Sequence, residues 1–253
     1  MLALLKKEFT EQLRSGRILI LILLFVFLGI MNPAIAKLTP WVFEMLSDSL
    51  AENGMTFTNI TVDAATSWTQ FFKNIPVGLI VFVLLQSSIF TKEYQNNTLV
   101  MTLTKGLSRY KIVIAKTFLL SILWSVCYWI TFAITYGYNE YYWDNSILYN
   151  LVLSGICLWL LGLWVVILTV FWGTLAKSNT SVLVGTGSVF LISYLVGLLP
   201  NLQKYTPAML IRTATLHTGN DSISLYYTAM VVTAILCIIL IAVSIPIFNK
   251  KSL

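Results

Sequence analysis

The sequence is poor in charge, in histidine and in cysteine, and each shortage excludes a class of protein. Only 10% of its 253 residues are charged, whereas soluble domains are about 25% charged, and its mean hydropathy is +0.83. The one histidine, His217, lies outside the apolar runs, and the three cysteines have no metal-ligand spacing. These counts predict an integral membrane protein with no metal site, in which Cys127, Cys157 and Cys237 pack as small apolar residues.

Motifs for nucleotide binding and catalysis are absent as well. The chain has no G-x-x-x-x-G-K-[ST] loop with which to bind ATP and no H-E-x-x-H pair for an intramembrane metalloprotease. No histidine lies in a span where it could activate Ser188 of the Gly-rich stretch 185–188. We therefore predict that the chain is not an enzyme and has no catalytic residues, and that any uphill transport takes its energy from another protein.

Ionisable residues are nearly absent from the apolar runs. Only Lys116 comes close to the interior of a span, and we expect its long side chain to reach the inner membrane surface. Transporters that are driven by protons or ions usually carry Asp, Glu or His within the membrane. The shortage therefore argues against a secondary transporter.

What the sequence does contain is a set of six apolar runs that approach or exceed the roughly 20 residues needed to cross a bilayer. We find no internal repeat and no low-complexity linker, so residues 1–253 are predicted to form one all-α integral membrane domain with six transmembrane helices. The predicted spans are 18–36, 75–91, 112–137, 147–172, 181–199 and 225–248.

The distribution of charge predicts the orientation of these spans. With both termini in the cytoplasm, 12 of the 16 basic residues lie inside, as expected from the positive-inside rule, and seven of the ten acids lie outside. The outer segments are then 37–74 and 200–224. Because the basic charge follows the membrane topology, we predict a lipid-embedded protein without a nucleic-acid partner.

Residues 1–17 are predicted to form an amphipathic helix on the membrane surface. Leu2, Leu5, Phe9 and Leu13 share one narrow stripe, and the charged residues lie away from it. A signal peptide is the alternative, because 34–36 fits a cleavage site. The two acids within the long basic region favour the surface helix.

The outer segment 37–74 contains two predicted short helices. One begins at Thr39-Pro40, where a capping residue is followed by proline at the first helical position. The other is capped by Asp63 and carries Trp68, Phe71 and Phe72. Aromatic residues collect at membrane interfaces, so we interpret these as outer interfacial anchors.

Hydroxyl groups form one stripe along the third span, and an amide ends the second. In lipid a hydroxyl is unfavourable, so the stripe is expected to face another helix or a water-accessible cavity. Two interpretations stay open: the stripe packs helices together, or it lines a transport path. The residues concerned are Gln86, Ser121, Ser125, Tyr128, Thr131 and Thr135.

The densest group of charges lies in the polar segment 90–111, between the second and third spans. A short helix is predicted to begin near Thr98 and to end at Gly106, with Leu99, Val100 and Leu103 on one side. Such a helix, held between two spans, is a surface on which another protein can act.

This arrangement resembles the permease subunit of an ABC-2-type exporter over essentially the whole chain. Members of that family often have, after the second span, an acid followed by Gly-Thr-Leu, Leu-Leu, Pro-x-Ser-Arg and Gly-Lys. The matching positions here are Glu93, 97–99, Met101 with Leu103, 106–109 and 115–116. Asn97, Gly106 and Ala115 depart from the family residues Gly, Pro and Gly.

The resemblance implies that 92–111 holds a coupling helix that docks on a separate ATP-binding subunit. It also implies two ATPase copies, which would carry the ATP and Mg²⁺, and a second, identical permease chain in a bacterial plasma membrane. No cofactor is expected on this chain. The residues implied in coupling are Glu93, Thr98, Leu99, Val100, Leu103 and Arg109.

The expected function is ATP-driven export of an apolar or amphipathic substrate, such as a peptide, a lipid or a hydrophobic drug. Two alternatives remain at the level of the sequence. One is a secondary transporter or channel that acts alone, and the other is a membrane scaffold or immunity subunit that transports nothing.

Overall fold

The computed structural model describes residues 2–52, 62–96, 98–99, 104, 108–212, 216 and 223–251. Within these residues the secondary structure is helical, without a strand. The α-helices are α1 (Leu2–Arg14), α2 (Arg17–Glu52), α3 (Ala64–Gln86), α4 (Ser88–Gln95), α5 (Arg109–Tyr142), α6 (Leu151–Leu175), α7 (Asn179–Val196) and α8 (Ile223–Lys250). Short 3₁₀ helices lie at Asn145–Ile147, Gln203–Tyr205 and Pro207–Ile211.

Among the described residues, six segments are long and apolar enough to cross a membrane, which confirms the predicted all-α membrane fold. They are α2 up to Val42, the continuous pair α3 and α4, and each of α5, α6, α7 and α8. The three cysteines are buried and unpaired, as expected for packing residues. The polar segment after α4 is described only at Thr98, Leu99, Thr104 and Ser108 onward.

The first span is much longer than its apolar run. Helix α2 continues through Pro33 and Pro40 to Glu52, so the helix predicted to begin at Thr39-Pro40 is wrong. The Thr39 hydroxyl instead donates to the Ile35 carbonyl, 2.7 Å away within the same helix. Pro33 leaves the Gly29 carbonyl without an amide donor, and the Thr135 hydroxyl of the neighbouring helix α5 donates to this carbonyl at 3.1 Å, which helps α2 to continue through this proline.

The second span begins earlier than its apolar run, because α3 starts at Ala64. Asp63 caps it as predicted, with its Oδ1 accepting from the Thr66 amide at 3.0 Å. However, the helix continues through Pro76, so there is no separate short helix. Trp68 is fully buried against Phe132 of α5, with ring centroids 4.9 Å apart, so the interpretation of Trp68, Phe71 and Phe72 as interfacial anchors is wrong.

Helix α6 is the centre of the bundle and contacts α5, α7 and α8. Buried residues make up 67% of its span, against 17% for α7 at the periphery. Close packing with α5 depends on Gly162, since a Cβ atom there would overlap the Trp124 indole. Below, the end of the bundle that holds α1, α4, the start of α5 and the last turns of α6 and α8 is called the α1 end.

Candidate functional site

The α1 end contains a group of two lysines and two glutamates, which we call the ion cluster; three of the four are buried and Lys7 is exposed. Lys116 of α5 lies between two carboxylates: its Nζ is 2.8 Å from Glu8 Oε2 of α1 and 3.1 Å from Glu93 Oε2 of α4. Lys7 Nζ of α1 lies 3.4 Å from the other Glu93 oxygen. The Lys116 amine also donates to the Ile89 carbonyl at 3.1 Å. Three helices are thereby joined through formally balanced charges.

Burial makes these contacts necessary for the fold. Lys116 is 1% exposed, Glu8 3% and Glu93 7%. The expectation that Lys116 extends to the membrane surface is therefore wrong, because α1 and α4 supply carboxylates at the position of its amine. A buried charge that loses its partner is strongly unfavourable. Burial raises the pKa of the Glu8 carboxyl, Lys116 lowers this pKa, and Glu93 raises it again.

Two neutral contacts extend the ion cluster toward α2 and α3. The side-chain amides of Gln12 and Gln86 bond to each other, with Gln12 Nε2 donating to Gln86 Oε1 at 2.8 Å. Arg17 at the start of α2 donates to the Ser88 hydroxyl at 2.9 Å. Gln86 is 1% exposed, so it connects α3 to α1 and does not face an open path.

Helix α1 presents three different faces. Leu4, Glu8 and Gln12 are buried against the bundle. Phe9 and Leu13, on the next face, are 48% and 50% exposed, as expected for a helix that lies against lipid. The remaining face carries charged and polar groups, namely Lys6, Lys7, Thr10, Glu11 and Arg14.

The residues that sequence analysis assigned to ATPase coupling have different environments. Glu93 belongs to the ion cluster, Thr98 is exposed, and Val100 and Leu103 lie outside the described residues. Leu99 is only 2% exposed and is part of the hydrophobic core of this chain. Its side chain is therefore not available to a partner in this structure, contrary to the expectation.

Arg109 holds the end of the last helix. Its Nη1 donates to three carbonyls there, those of Phe248 at 3.1 Å, Asn249 at 3.0 Å and Lys251 at 2.6 Å. The final carbonyls of a helix have no partner within the helix, so a basic side chain at this position stabilises its C-terminus. Arg109 thus connects the start of α5 to the end of α8.

Lys251 makes a similar connection to α6. Its Nζ donates to the Thr174 and Ala176 carbonyls, at 2.9 and 3.0 Å, and lies 4.0 Å from the centre of the Tyr94 ring. Partial burial and the charge of Lys177 lower the pKa of Lys251 to about 8. Helices α4, α5, α6 and α8 are therefore joined around the two basic residues Arg109 and Lys251.

The hydroxyl stripe of α5 packs between α2 and α6. Thr131 and Thr135 donate to the Phe25 and Gly29 carbonyls of α2, at 2.8 and 3.1 Å. Tyr128 donates to the Gly155 carbonyl of α6 at 2.6 Å. All three α5 residues are fully buried, so their contacts fit the helix-packing interpretation and leave no path along them.

The same holds at the next turns of α5. Ser125 donates to the Ser121 carbonyl at 2.8 Å and accepts from the Trp159 indole of α6 at 3.0 Å. The hydroxyls of the stripe are therefore occupied by contacts within the chain from Ser125 to Thr135, whereas Ser121 contributes its backbone carbonyl.

A second feature, which the sequence analysis missed, is an apolar groove of about 340 Å³ between α3, α6, α7 and the Pro207–Ile211 segment. Its walls include Leu79, Leu161 and Phe190. One hydroxyl in the groove, that of Thr186 on α7, is buried and has no hydrogen-bond partner among the described residues. We call this the α7 groove.

Two signals in the sequence could have found the buried residues. A single lysine within an apolar run requires a nearby acid, and Glu8 recurs at four-residue spacing between Leu4 and Gln12 on one face of α1. Thr186 has no such signal, because only the packing of α7 shows that its hydroxyl is unpaired.

Comparison with known proteins gives one clear result. A family model described as ABC-2 family transporter protein matches residues 2–253. No curated protein and no solved structure shows a significant match.

Proposed function

The chain belongs to the ABC-2 family of transporter proteins, and from this premise we propose that it is the permease subunit of an ATP-driven exporter that a separate ATPase drives through the α1 end. ABC-2 permeases are membrane transport subunits and carry no catalytic site of their own. In this proposal the α1 end faces the cytoplasm of a bacterial cell, and two ATPases with ATP and Mg²⁺ act on two copies of the permease.

The ion cluster is the observation that supports coupling at this end. The segment that follows α4 is where the partner would act, and Glu93 lies in the last turn of α4, two residues before its end. Displacement of α4 would break the Glu93–Lys116 contact unless α5 moved with it. Because a buried ion pair tolerates little change of geometry, the cluster would transmit a displacement of α4 to α1 and α5.

The α7 groove supports the proposed class of substrate. Its lining is apolar, and the Thr186 hydroxyl beside it is buried without a partner among the described residues. Ligand pockets of this type hold mostly apolar molecules and orient them with few polar contacts. We therefore propose that an apolar or amphipathic cargo contacts the α7 groove rather than the α5 stripe, whose hydroxyls already bond within the chain.

A reconstituted system tests the coupling proposal. The chain and the ATPase encoded beside it are placed in liposomes, and cargo-stimulated ATP hydrolysis is measured for the wild type and for Glu93→Gln. We expect the variant to bind the ATPase normally. Its cargo-stimulated rate of ATP hydrolysis should be about tenfold lower than that of the wild type, because neutralising Glu93 removes the ion pair between α4 and Lys116. Glu11→Gln is the matched control, since Glu11 is exposed on the same end.

The result that would overturn the proposal is a Glu93→Gln protein that folds and couples like the wild type. Transport in liposomes without any ATPase, driven by an ion gradient, would instead support the secondary transporter. Partner binding with no cargo-stimulated hydrolysis in the wild type would support the non-transporting scaffold.

A further inference from the structure

A second groove, distinct from the α7 groove, lies on the outside of the bundle between α1, α2 and α5. Its volume is about 530 Å³, within the range of small-molecule sites. One wall is a stripe of α5 formed by Phe118, Ile122 and Val126, which are 53%, 45% and 45% exposed. Leu5 of α1 and Ile22 of α2 are among the residues of the other walls. We call it the α1 groove.

The α1 groove has the dimensions of a site for a hydrocarbon chain. The three stripe residues are spaced four apart on α5, so they extend about 12 Å along the helix axis at 1.5 Å per residue. Their exposed side chains face the region that a bilayer would occupy, because α5 is one of the spans. The groove is therefore open to lipid along its length.

Positive charge lies at one end of this apolar wall. Lys6 of α1 lines the groove, and its side chain forms no hydrogen bond or ion pair with the described part of the chain. Lys111 is seven residues before Phe118, which places it on the same face of α5, two turns closer to the α1 end.

The nearby acids do not offset this charge. Glu8 and Glu93 are buried in the ion cluster, and Glu11 lies about 140° from Lys6 around α1 at 100° per residue. A molecule with a hydrocarbon chain and an anionic head matches the apolar wall and its basic end. We propose that the α1 groove binds an anionic phospholipid, with one acyl chain along α5 and the headgroup phosphate at Lys6 and Lys111.

A second copy of the chain is a weaker candidate for the same groove. A two-fold symmetric contact through this face would bring Lys6 and Lys111 of both copies together, and like charges that face each other oppose association. The bound lipid would hold α1 against α5 beside the ion cluster. The inference does not depend on an ATPase or on transport.

Native mass spectrometry of the detergent-purified protein tests the proposal. Phosphatidylglycerol or phosphatidylcholine is titrated in, and the fraction of protein that retains lipid is recorded. We expect stronger retention of phosphatidylglycerol. Lys6→Gln should weaken this retention about fivefold, the effect of one basic residue at an anionic lipid surface, with little effect on phosphatidylcholine.

A filling variant tests the groove itself. Ile122→Trp should reduce retention of both lipids, because the larger side chain occupies the space of the acyl chain. Matched controls are Lys250→Gln at the end of α8 and Ile192→Trp on α7, where Ile192 is 58% exposed and outside the groove. Both controls should bind lipid like the wild type.

Three results would overturn the proposal. Equal retention of the two lipids by the wild type would remove the headgroup preference, and unchanged retention in Ile122→Trp would exclude the groove. A change of oligomeric state in Ile122→Trp, with lipid retention unaltered, would assign the surface to a second copy.

Discussion

Helices α5 and α7 differ in how their hydroxyl groups are satisfied. On α5, the side chains of Tyr128, Thr131 and Thr135 all bond to backbone carbonyls of neighbouring helices. On α7, the hydroxyls of Thr186 and Ser193 have no partner among the described residues. Half of the α5 span is buried, against 17% of the α7 span.

This difference indicates that the hydroxyls of α5 hold the bundle together, whereas those of α7 are available to a further partner. A hydroxyl without a partner in an apolar environment is unfavourable, so α7 would gain stability from a bound molecule or a neighbouring chain. The buried hydroxyls of α5 would gain none, since they already bond to backbone carbonyls. Cargo or a second permease is therefore expected at α7, and substitutions on the two helices should have different consequences.

The largest expected loss of stability comes from replacing Lys116, at the charged end of α5. Lys116→Met leaves Glu8 and Glu93 buried without their shared cation, and the loss of one partner of a buried ion pair costs about 3–5 kcal/mol. Denaturant unfolding of the purified protein in detergent measures this change. Lys177→Met, a loss of charge at an exposed site just before α7, should change stability little.

A second substitution checks the cause of that loss. Lys116→Met combined with Glu8→Gln should recover part of the stability, because one unpaired carboxylate is removed. Equal stability of Lys116→Met and the wild type would show that the ion cluster contributes nothing to the fold.

A smaller loss of stability is expected when a closely packed glycine is replaced by alanine. Gly162→Ala places a Cβ atom into the Trp124 ring at the contact of α6 with α5, and overpacking of this kind costs about 1–3 kcal/mol. Gly187→Ala on α7 meets nothing within 4 Å and should not destabilise. Thermal unfolding of both variants measures the contrast, and equal losses of stability would contradict the tighter packing at Gly162 of α6 than at Gly187 of α7.

The smallest effect is expected from single hydroxyls. Thr131→Val removes the hydrogen bond to Phe25 and should cost roughly 0.6 to 1.7 kcal/mol, the range for such bonds in membrane proteins. Thr186→Val should raise stability slightly, because its buried hydroxyl has no partner among the described residues and is unfavourable there, and it should alter cargo preference in the liposome assay. A larger stability loss for Thr186→Val than for Thr131→Val would contradict the conclusion that the α5 hydroxyl is satisfied within the chain and the α7 hydroxyl is not.

The sequence predicted the fold class and the spans because both follow from average properties. Long apolar runs do not depend on packing details, and all six predicted spans overlap helices of the described residues that are long and apolar enough to cross a membrane. The helix bounds were less predictable. Thr39-Pro40 indicated the start of a new helix, but α2 continues through Pro40, and α3 begins before its apolar run and continues through Pro76.

The candidate site was less predictable, because it depends on contacts between residues far apart in the chain. Glu8 and Lys116 are separated by 108 residues, and a single sequence does not show that α1 folds back against α5. The apolar stripe of α1 was visible, but its spacing cannot show that the adjacent face, with Glu8 and Gln12, enters the protein. Likewise, the stripe of α5 allowed two interpretations until its acceptors were known.

The two threonine contacts of α5 restrict how the bundle moves. Thr131 bonds to Phe25 and Thr135 to Gly29, and in each pair the threonine follows its acceptor by 106 residues in the chain. Because the separation is the same in both pairs, α2 and α5 run parallel in one fixed alignment. A screw motion of one helix by one residue would shift both hydroxyls by about 1.5 Å and rotate them by about 100°, which breaks both bonds at once. Helices α2 and α5 are therefore expected to travel as one rigid body, and any opening of the protein must come from hinges elsewhere.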